Sequence, residues 1–246
     1  MKKVLFWPYQ LYVWLMLFPL VIILTLIFSS LTVIFSILVN PHFASRVFAV
    51  TWARWLAWLT PISVSVEGSE NADRERSYVV VSNHQSMYDI IVTYGWLALD
   101  LKWVIKQELR KMPAIGLGCE KAGHIFVDRK NPKRASKAID EALGILGNGI
   151  GILFFVEGTR SLDGRLMPFK KGAFRTAIEQ QMPVLPVTLV GTRDILPSKT
   201  LKVFPGPARM VIHPCIETKG MNTSQIEKLI ETSTKVIASA IPQELS

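Results

Sequence analysis

Tyr78-Val79-Val80-Val81-Ser82-Asn83-His84-Gln85-Ser86-Met87-Tyr88-Asp89 reads as a buried strand opening into a polar loop. The apolar, mostly β-branched start is the composition of a strand covered on both faces. The following Ile90-Ile91-Val92-Thr93-Tyr94-Gly95-Trp96-Leu97 is long enough, with its lead-in, to form a helix. A strand–loop–helix unit of this kind belongs to α/β architecture, and its loop opens on the crevice at the strand's carboxyl end. His84 lies in that loop. In mid-helix, side chains five positions apart point about 140° from each other at ~100° per residue. From a loop ahead of the helix, His84 can fold back and give Nδ1–H to Asp89 in the first turn, leaving Nε2 for a proton. The competing reading makes His84 a capping or core residue and Asp89 a first-turn carboxylate favoured by the helix dipole.

Upstream of this unit the chain changes character. Val4 to Val39 contains no charged residue, and Leu20 to Val39 is a run of Leu, Ile, Val, Phe, Thr and Ser. About 20 apolar residues cross a bilayer core of ~30 Å. Pro8 and Pro19 predict a kink or a break near the start. Asn40-Pro41 marks a turn. After it Phe43 to Leu59 mixes Trp52, Trp55 and Trp58 with Arg46 and Arg54, the pattern of an interfacial helix. Residues 1–60 are therefore expected to be a two-helix membrane-associating segment, and 61–246 a globular domain. A cleaved signal peptide with Lys2-Lys3 as its basic start is the rival, but the apolar run is long and no small-x-small cleavage site closes it.

Across the globular part, short apolar runs alternate with amphipathic ones. Strands are expected at 62–67, 78–82, 101–105, 123–128, 151–156, 184–190 and 208–213. Helices are expected near 86–98, 107–112, 132–147, 171–181 and 222–241. The implied fold class is α/β, with a mixed, largely parallel sheet flanked by helices.

The 246 residues carry a net charge of +9, of which 1–59 contribute four cations and no acid. A basic chain with an apolar start suits anionic lipid or anionic substrates. No recognition helix, zinc finger or aromatic-basic motif supports a nucleic-acid partner. Cys119 and Cys215 form no C-x-x-C, and His42, His84, His124 and His213 are scattered, so neither a disulfide framework nor a metal site is expected. A reducing compartment fits.

Three further constellations end strands: Gly123-His124-Ile125-Phe126-Val127-Asp128-Arg129, Phe154-Phe155-Val156-Glu157-Gly158-Thr159-Arg160-Ser161, and Val184-Leu185-Pro186-Val187. Arginine offers a planar fork for phosphate oxygens, and Gly158 lets the backbone approach a ligand. The proline of the third is expected at a bulge or sheet edge. Lys106 at a strand end and Phe169-Lys170-Lys171-Gly172 at a helix start could add positive charge around an anion.

Taken in order, NHQSMYD at 83–89, GHIFVDR at 123–129, FVEGTRS at 155–161 and VLPV at 184–187 resemble the four blocks of the glycerolipid acyltransferase family. The resemblance covers roughly 65–215 and points within that family to the lysophosphatidate (1-acyl-sn-glycerol-3-phosphate) acyltransferases. It implies acyl transfer from acyl-CoA or acyl-carrier protein to the sn-2 hydroxyl of lysophosphatidic acid, giving phosphatidic acid. It implies His84 as general base, Asp89 as its orienting partner, and Arg129, Glu157, Gly158, Thr159 and Arg160 as the phosphate site, with Lys106 as an additional ligand. No metal or prosthetic group is implied. The implied location is the cell membrane, with the active domain facing the cytoplasm. Val156 stands where that family often has proline, which alters backbone stiffness but removes no functional group. Other acceptors, such as glycerol-3-phosphate, stay open. So does a membrane esterase or thioesterase with Ser86 as nucleophile, although no G-x-S-x-G elbow presents it. A non-catalytic lipid-binding scaffold is a third class.

Overall fold

The computed structural model describes residues 3–113, 115–128, 130–146 and 149–242. The chain begins with α1 (Lys3–Tyr12), a π-helical turn at Val13–Leu17 and α2 (Phe18–Leu38), which run on as one helix. Pro8 and Pro19 do not break it. Pro19 directly follows the π-helical turn, where the Phe18 amide bonds the Val13 carbonyl and the widened turn accommodates a residue with no N–H to give. Asn40 then turns the chain by accepting from the Phe43 amide at 2.7 Å, with Pro41 at the first helical position. Beyond it come α3 (Pro41–Ala44), a second π turn at Ser45–Ala49 and α4 (Val50–Leu59).

Two N-terminal helical segments are present, and they differ in what they pack against. Among the described residues one helix, over Phe6–Leu38, is long and apolar enough to cross a membrane, and 6% of its most apolar window is buried. The second helix packs on the globular part: Ala44, Ala53, Leu56 and Ala57 are buried, and Arg54 Nε donates to the Gly95 carbonyl at 3.0 Å. Its tryptophans divide accordingly. Trp55 and Trp58 face outward, whereas Trp52 donates from Nε1 to Thr25 Oγ1 of the first helix at 3.1 Å. Val13, Leu17, Ala53 and Leu56 belong to the same apolar cluster as Tyr78, Val80 and Leu189, so the segment expected as 1–60 shares a core with the domain. His42, at the turn, bonds through Nδ1 to Asp100, whose other oxygen takes buried Lys102 Nζ at 3.0 Å.

Seven strands form one sheet: β1 (Ile62–Glu67), β2 (Tyr78–Ser82), β3 (Asp100–Lys106), β4 (Ile125–Val127), β5 (Ile150–Phe155), β6 (Val184–Val190) and β7 (Gly206–Ile212). Their order is β1-β7-β6-β2-β5-β3-β4, with only β6 and β7 antiparallel. The helices between them are α5 (Tyr88–Trp96), α6 (Ile115–Lys121), α7 (Pro132–Leu146), α8 (Gly172–Glu179) and α9 (Thr192–Ile195), and α10 (Ile226–Ser239) follows β7. Period-two alternation divides β2 between two layers: Tyr78 and Val80 pack with the N-terminal helices and α5, while Val79 and Val81 pack with α8 and α10. β2 sits between β5 and β6, parallel to both. The carboxyl ends of these three strands therefore meet at one edge, where an open α/β sheet leaves a crevice.

Pro186 lies inside the sheet, not at its edge. Three residue steps separate Val184 from Val187, but four separate their antiparallel partners Ile216 and Ile212. The extra residue belongs to the neighbouring segment, which bulges opposite Pro186 while the His213 amide still bonds the Pro186 carbonyl at 3.0 Å. The fourth strand is shorter than expected because residues 122–124 terminate α6, their amides bonding back to Gly118, Glu120 and Cys119.

Candidate active site

The strand-to-helix loop is locked before any chemistry is considered. Asn83 bonds both backbone groups of Leu189 at 2.8 Å, its Nδ2 donating and its Oδ1 accepting, and so extends pairing where β2 leaves β6. The His84 peptide is clamped from both sides by the segment after β5: its amide donates to Glu157 Oε1 at 2.7 Å and its carbonyl accepts from the Ser161 amide at 2.8 Å. Gln85 reaches the Gly164 carbonyl at 2.9 Å. Ser86 is buried and its Oγ donates to the Leu196 carbonyl at 2.8 Å. That hydroxyl braces the loop and is not presented to solvent.

Asp89, fully buried, gathers four donors. Oδ2 accepts from His84 Nδ1 at 2.7 Å, the Gln85 amide at 2.6 Å and the Ser86 amide at 2.8 Å; Oδ1 accepts from Thr192 Oγ1 at 2.5 Å. Its two possible roles are thus one arrangement: the carboxylate that caps the turn also holds the imidazole. Because it accepts from Nδ1–H, it selects the tautomer whose Nε2 carries a free lone pair. The His84 side chain is 14% exposed, and Nε2 has no partner among the described residues. The ring lies flat on Phe155, centroids 3.8 Å apart and planes 7° from parallel.

Glu157, expected among phosphate ligands, occupies a different position. It is 3% exposed, and its carboxylate is taken by backbone amides, His84 on Oε1 and Met167 on Oε2 at 3.2 Å. Burial pushes its carboxyl up to about 7, against the pull of those two amides. It holds the loop and does not face the crevice. Gly158 follows with φ +75°, and a Cβ there would come within 2.8 Å of Lys170 Cε and Nζ. The glycine thus lets the Lys170 side chain lie close to the turn, and the Lys170 amide ties to the Val156 carbonyl at 2.8 Å. Thr159 is exposed and Arg160 half-buried on the same turn, one residue before the Ser161 clamp on His84. Lys106 ends β3, two strands from β2, a lateral separation of about 10 Å at ~4.8 Å per strand. Arg129 lies outside the described residues.

The chain has, at the carboxyl ends of β2 and β5, a histidine with an oriented ring and a free nitrogen, beside a turn bearing Arg160 and Lys170. The match to known proteins decides the family. Residues 63–190 match the acyltransferase family model. The chain belongs to the acyltransferase family. Among curated acyltransferases, it is 33% identical over 184 residues to the 1-acyl-sn-glycerol-3-phosphate acyltransferase of Chlamydomonas reinhardtii, covering 74% of this chain and 54% of that protein. It is 32% identical to human 1-acyl-sn-glycerol-3-phosphate acyltransferase alpha, covering 72% and 62%. The chain thus spans a little over half the length of these relatives. An acyltransferase structure, that of the 1-acyl-sn-glycerophosphate acyltransferase of Thermotoga maritima, covers 97% of this chain and 95% of its own at 30% identity and a TM-score of 0.77.

Phe155, Thr192 and Asn83 also hold this loop and its ring, and the sequence assigned them no role. Phe155 stands inside a quoted block, but its contact with the ring depends on how β2 and β5 align. Thr192 is 103 positions from Asp89 and follows β6 with no distinguishing pattern. Only the packed sheet brings it there.

Proposed function

We propose that this acyltransferase moves an acyl chain from a thioester, acyl-CoA or acyl-carrier protein, to the sn-2 hydroxyl of lysophosphatidate, giving phosphatidate. The observation that carries the reading is the 2.7 Å contact of His84 Nδ1 with buried Asp89, which leaves Nε2 open at the crevice. As the acceptor oxygen attacks the thioester carbon, Nε2 takes the hydroxyl proton; the tetrahedral adduct then collapses, the C–S bond breaks, and the thiolate recovers that proton. A thioester is already activated, so no acyl-enzyme is required. Asp89 fixes the tautomer and stabilises the imidazolium, with Phe155 beneath the ring. Arg160, with Arg129 and Lys106, binds the acceptor phosphate and so aims the hydroxyl. Glu157 acts as a positioning residue that shapes the loop.

Exposed Met87 and Leu162 flank the site and suit a lipid acceptor. The helix over Phe6–Leu38 attaches the enzyme to the membrane from which that lipid comes. The catalytic part faces the cytoplasm, where thioester donors are made and where two free cysteines are at home. The test is an acceptor panel with the full chain in detergent and one thioester donor. Thiol release should depend on lysophosphatidate. Equal release without acceptor would indicate a hydrolase, and preference for glycerol-3-phosphate would reassign the acceptor.

A further inference from the structure

The positive charge of the globular part is not spread over it. Residues 106–137 hold nine Lys and Arg against three Asp and Glu, a net of +6, whereas the remainder of 60–246 carries a net of −1. The densest portion is the β4–α7 connection and the first turns of α7, where Arg129, Lys130, Lys133, Arg134 and Lys137 are followed by no acid before Asp140. Lys130, Lys133, Arg134 and Lys137 are exposed. In the whole stretch, the ion pairs among the described residues are Arg110–Glu120 at 2.6 Å and Lys137–Glu141 at 3.7 Å.

Helix stability does not explain this placement. Cations at the start of a helix oppose its macrodipole, which prefers acids there. Nor does packing, because α7 turns Ala135, Ala138, Ile139 and Ala142 toward β4 and β5 and leaves the cations outside. Position limits the partner. β4 is parallel to β3 and β5, so α7 starts at the same sheet edge as His84, three strands from β2 and about 14 Å away at ~4.8 Å per strand. The acceptor's single phosphate, a few bonds from the hydroxyl that must reach His84 and already assigned to Arg160, Arg129 and Lys106, does not account for four more cations that run from Lys130 along the first turns of α7. A donor whose acyl group hangs on a long pantetheine arm can span from these cations to His84. Moreover, α7 packs on the face opposite the N-terminal helices, which turns these cations away from the apolar segment.

Resting on the acyl-transfer reading above, we propose that Lys130, Lys133, Arg134 and Lys137 form the docking surface for an acidic acyl-carrier protein, the donor this enzyme uses. The cations are spaced along a convex helix face and do not converge on a cleft. Convex, separated charges suit a protein surface of opposite sign, whereas the nucleotide of CoA would call for a concave site.

The test compares the full chain with Lys130→Glu/Lys133→Glu/Arg134→Glu, both in nonionic detergent with lysophosphatidate as acceptor. The donors are a hexadecanoyl thioester on an acidic acyl-carrier protein and hexadecanoyl-CoA. KM for the carrier donor should rise at least about tenfold with kcat unchanged, while both constants for the CoA donor stay within about twofold. Anisotropy of a labelled, acyl-free carrier should show binding to the parent that the variant loses and that about 0.5 M salt weakens. This binding readout does not depend on turnover, so a failure of the docking idea and a failure of the acyl-transfer reading can be told apart. Lys133→Gln/Arg134→Gln, a milder change, should give an intermediate shift and guards against misfolding of the triple variant. Equal loss with both donors, no change with either, or a variant that loses only anionic-vesicle binding would each overturn the proposal.

Discussion

Asp89 shows how one carboxylate can serve the backbone and the chemistry together. Its bonds to the Gln85 and Ser86 amides fold the loop, and its bond to Nδ1 sets the His84 tautomer. Thr192 completes the set from a distant element. Thr192→Val should therefore lower kcat about tenfold, since a hydrogen bond to a charged group is worth ~1.5–3 kcal/mol and 1.4 kcal/mol is tenfold in rate. KM should stay near its original value, and Thr192→Ser should restore kcat; an unaltered kcat in the valine variant would remove Thr192 from the machinery. Arg160 makes the complementary case. Arg160→Ala should raise KM for lysophosphatidate at least about tenfold, as expected when a charged phosphate contact is lost, while leaving KM for the donor unchanged. An acceptor KM that does not move contradicts its role.

At the scale of elements, the runs that betrayed themselves were strands. Strands at 62–67, 78–82 and 184–190 match their expected limits, because β-branched runs bounded by polar or turn residues say where a buried strand starts and stops. α6 was missed, because Ile115-Gly116-Leu117-Gly118-Cys119-Glu120-Lys121 carries two glycines that argue against a helix. The structure supplies the reason for both: a Cβ on Gly116 would fall 2.2 Å from the Arg110 carbonyl oxygen, and one on Gly118 2.2 Å from Ser29 Oγ, so the second glycine lets α6 lie against α2. The β3–β4 pair carries a pH signature of its own. His124 is half-buried there, Nε2 against Tyr94 Oη at 2.5 Å and Nδ1 facing the Trp103 amide. Burial first, and then the charge of Lys102, push it down to about 3 from the usual 6.5. Between those values the unfolded chain binds a proton that the fold refuses. The stabilisation is therefore complete above about pH 6.5 and is lost as pH falls toward 3. Urea midpoints at about pH 7 and 5 should separate more for the parent than for His124→Gln, which does not titrate; equal separations would contradict the assignment.

For the whole molecule, the proposed division of work gives lipid to the apolar N-terminal helix, chemistry to the sheet edge and the donor to the basic helix face. The loop and its two polar partners were readable because His84 and Asp89 share one short segment. The clamp on the loop was not, because Glu157, Ser161 and Leu189 meet it only through strand order. That order also places the histidine's free nitrogen at the crevice. The decisive measurement is acceptor-dependent thiol release by His84→Ala, with its membrane binding and melting temperature checked against the parent. The rate should fall by at least about a hundredfold, within the 10²–10⁴ expected of a lost general base, while both controls are unchanged. A well-folded, membrane-bound variant that keeps more than about a hundredth of the parent rate would show that His84 is not the base.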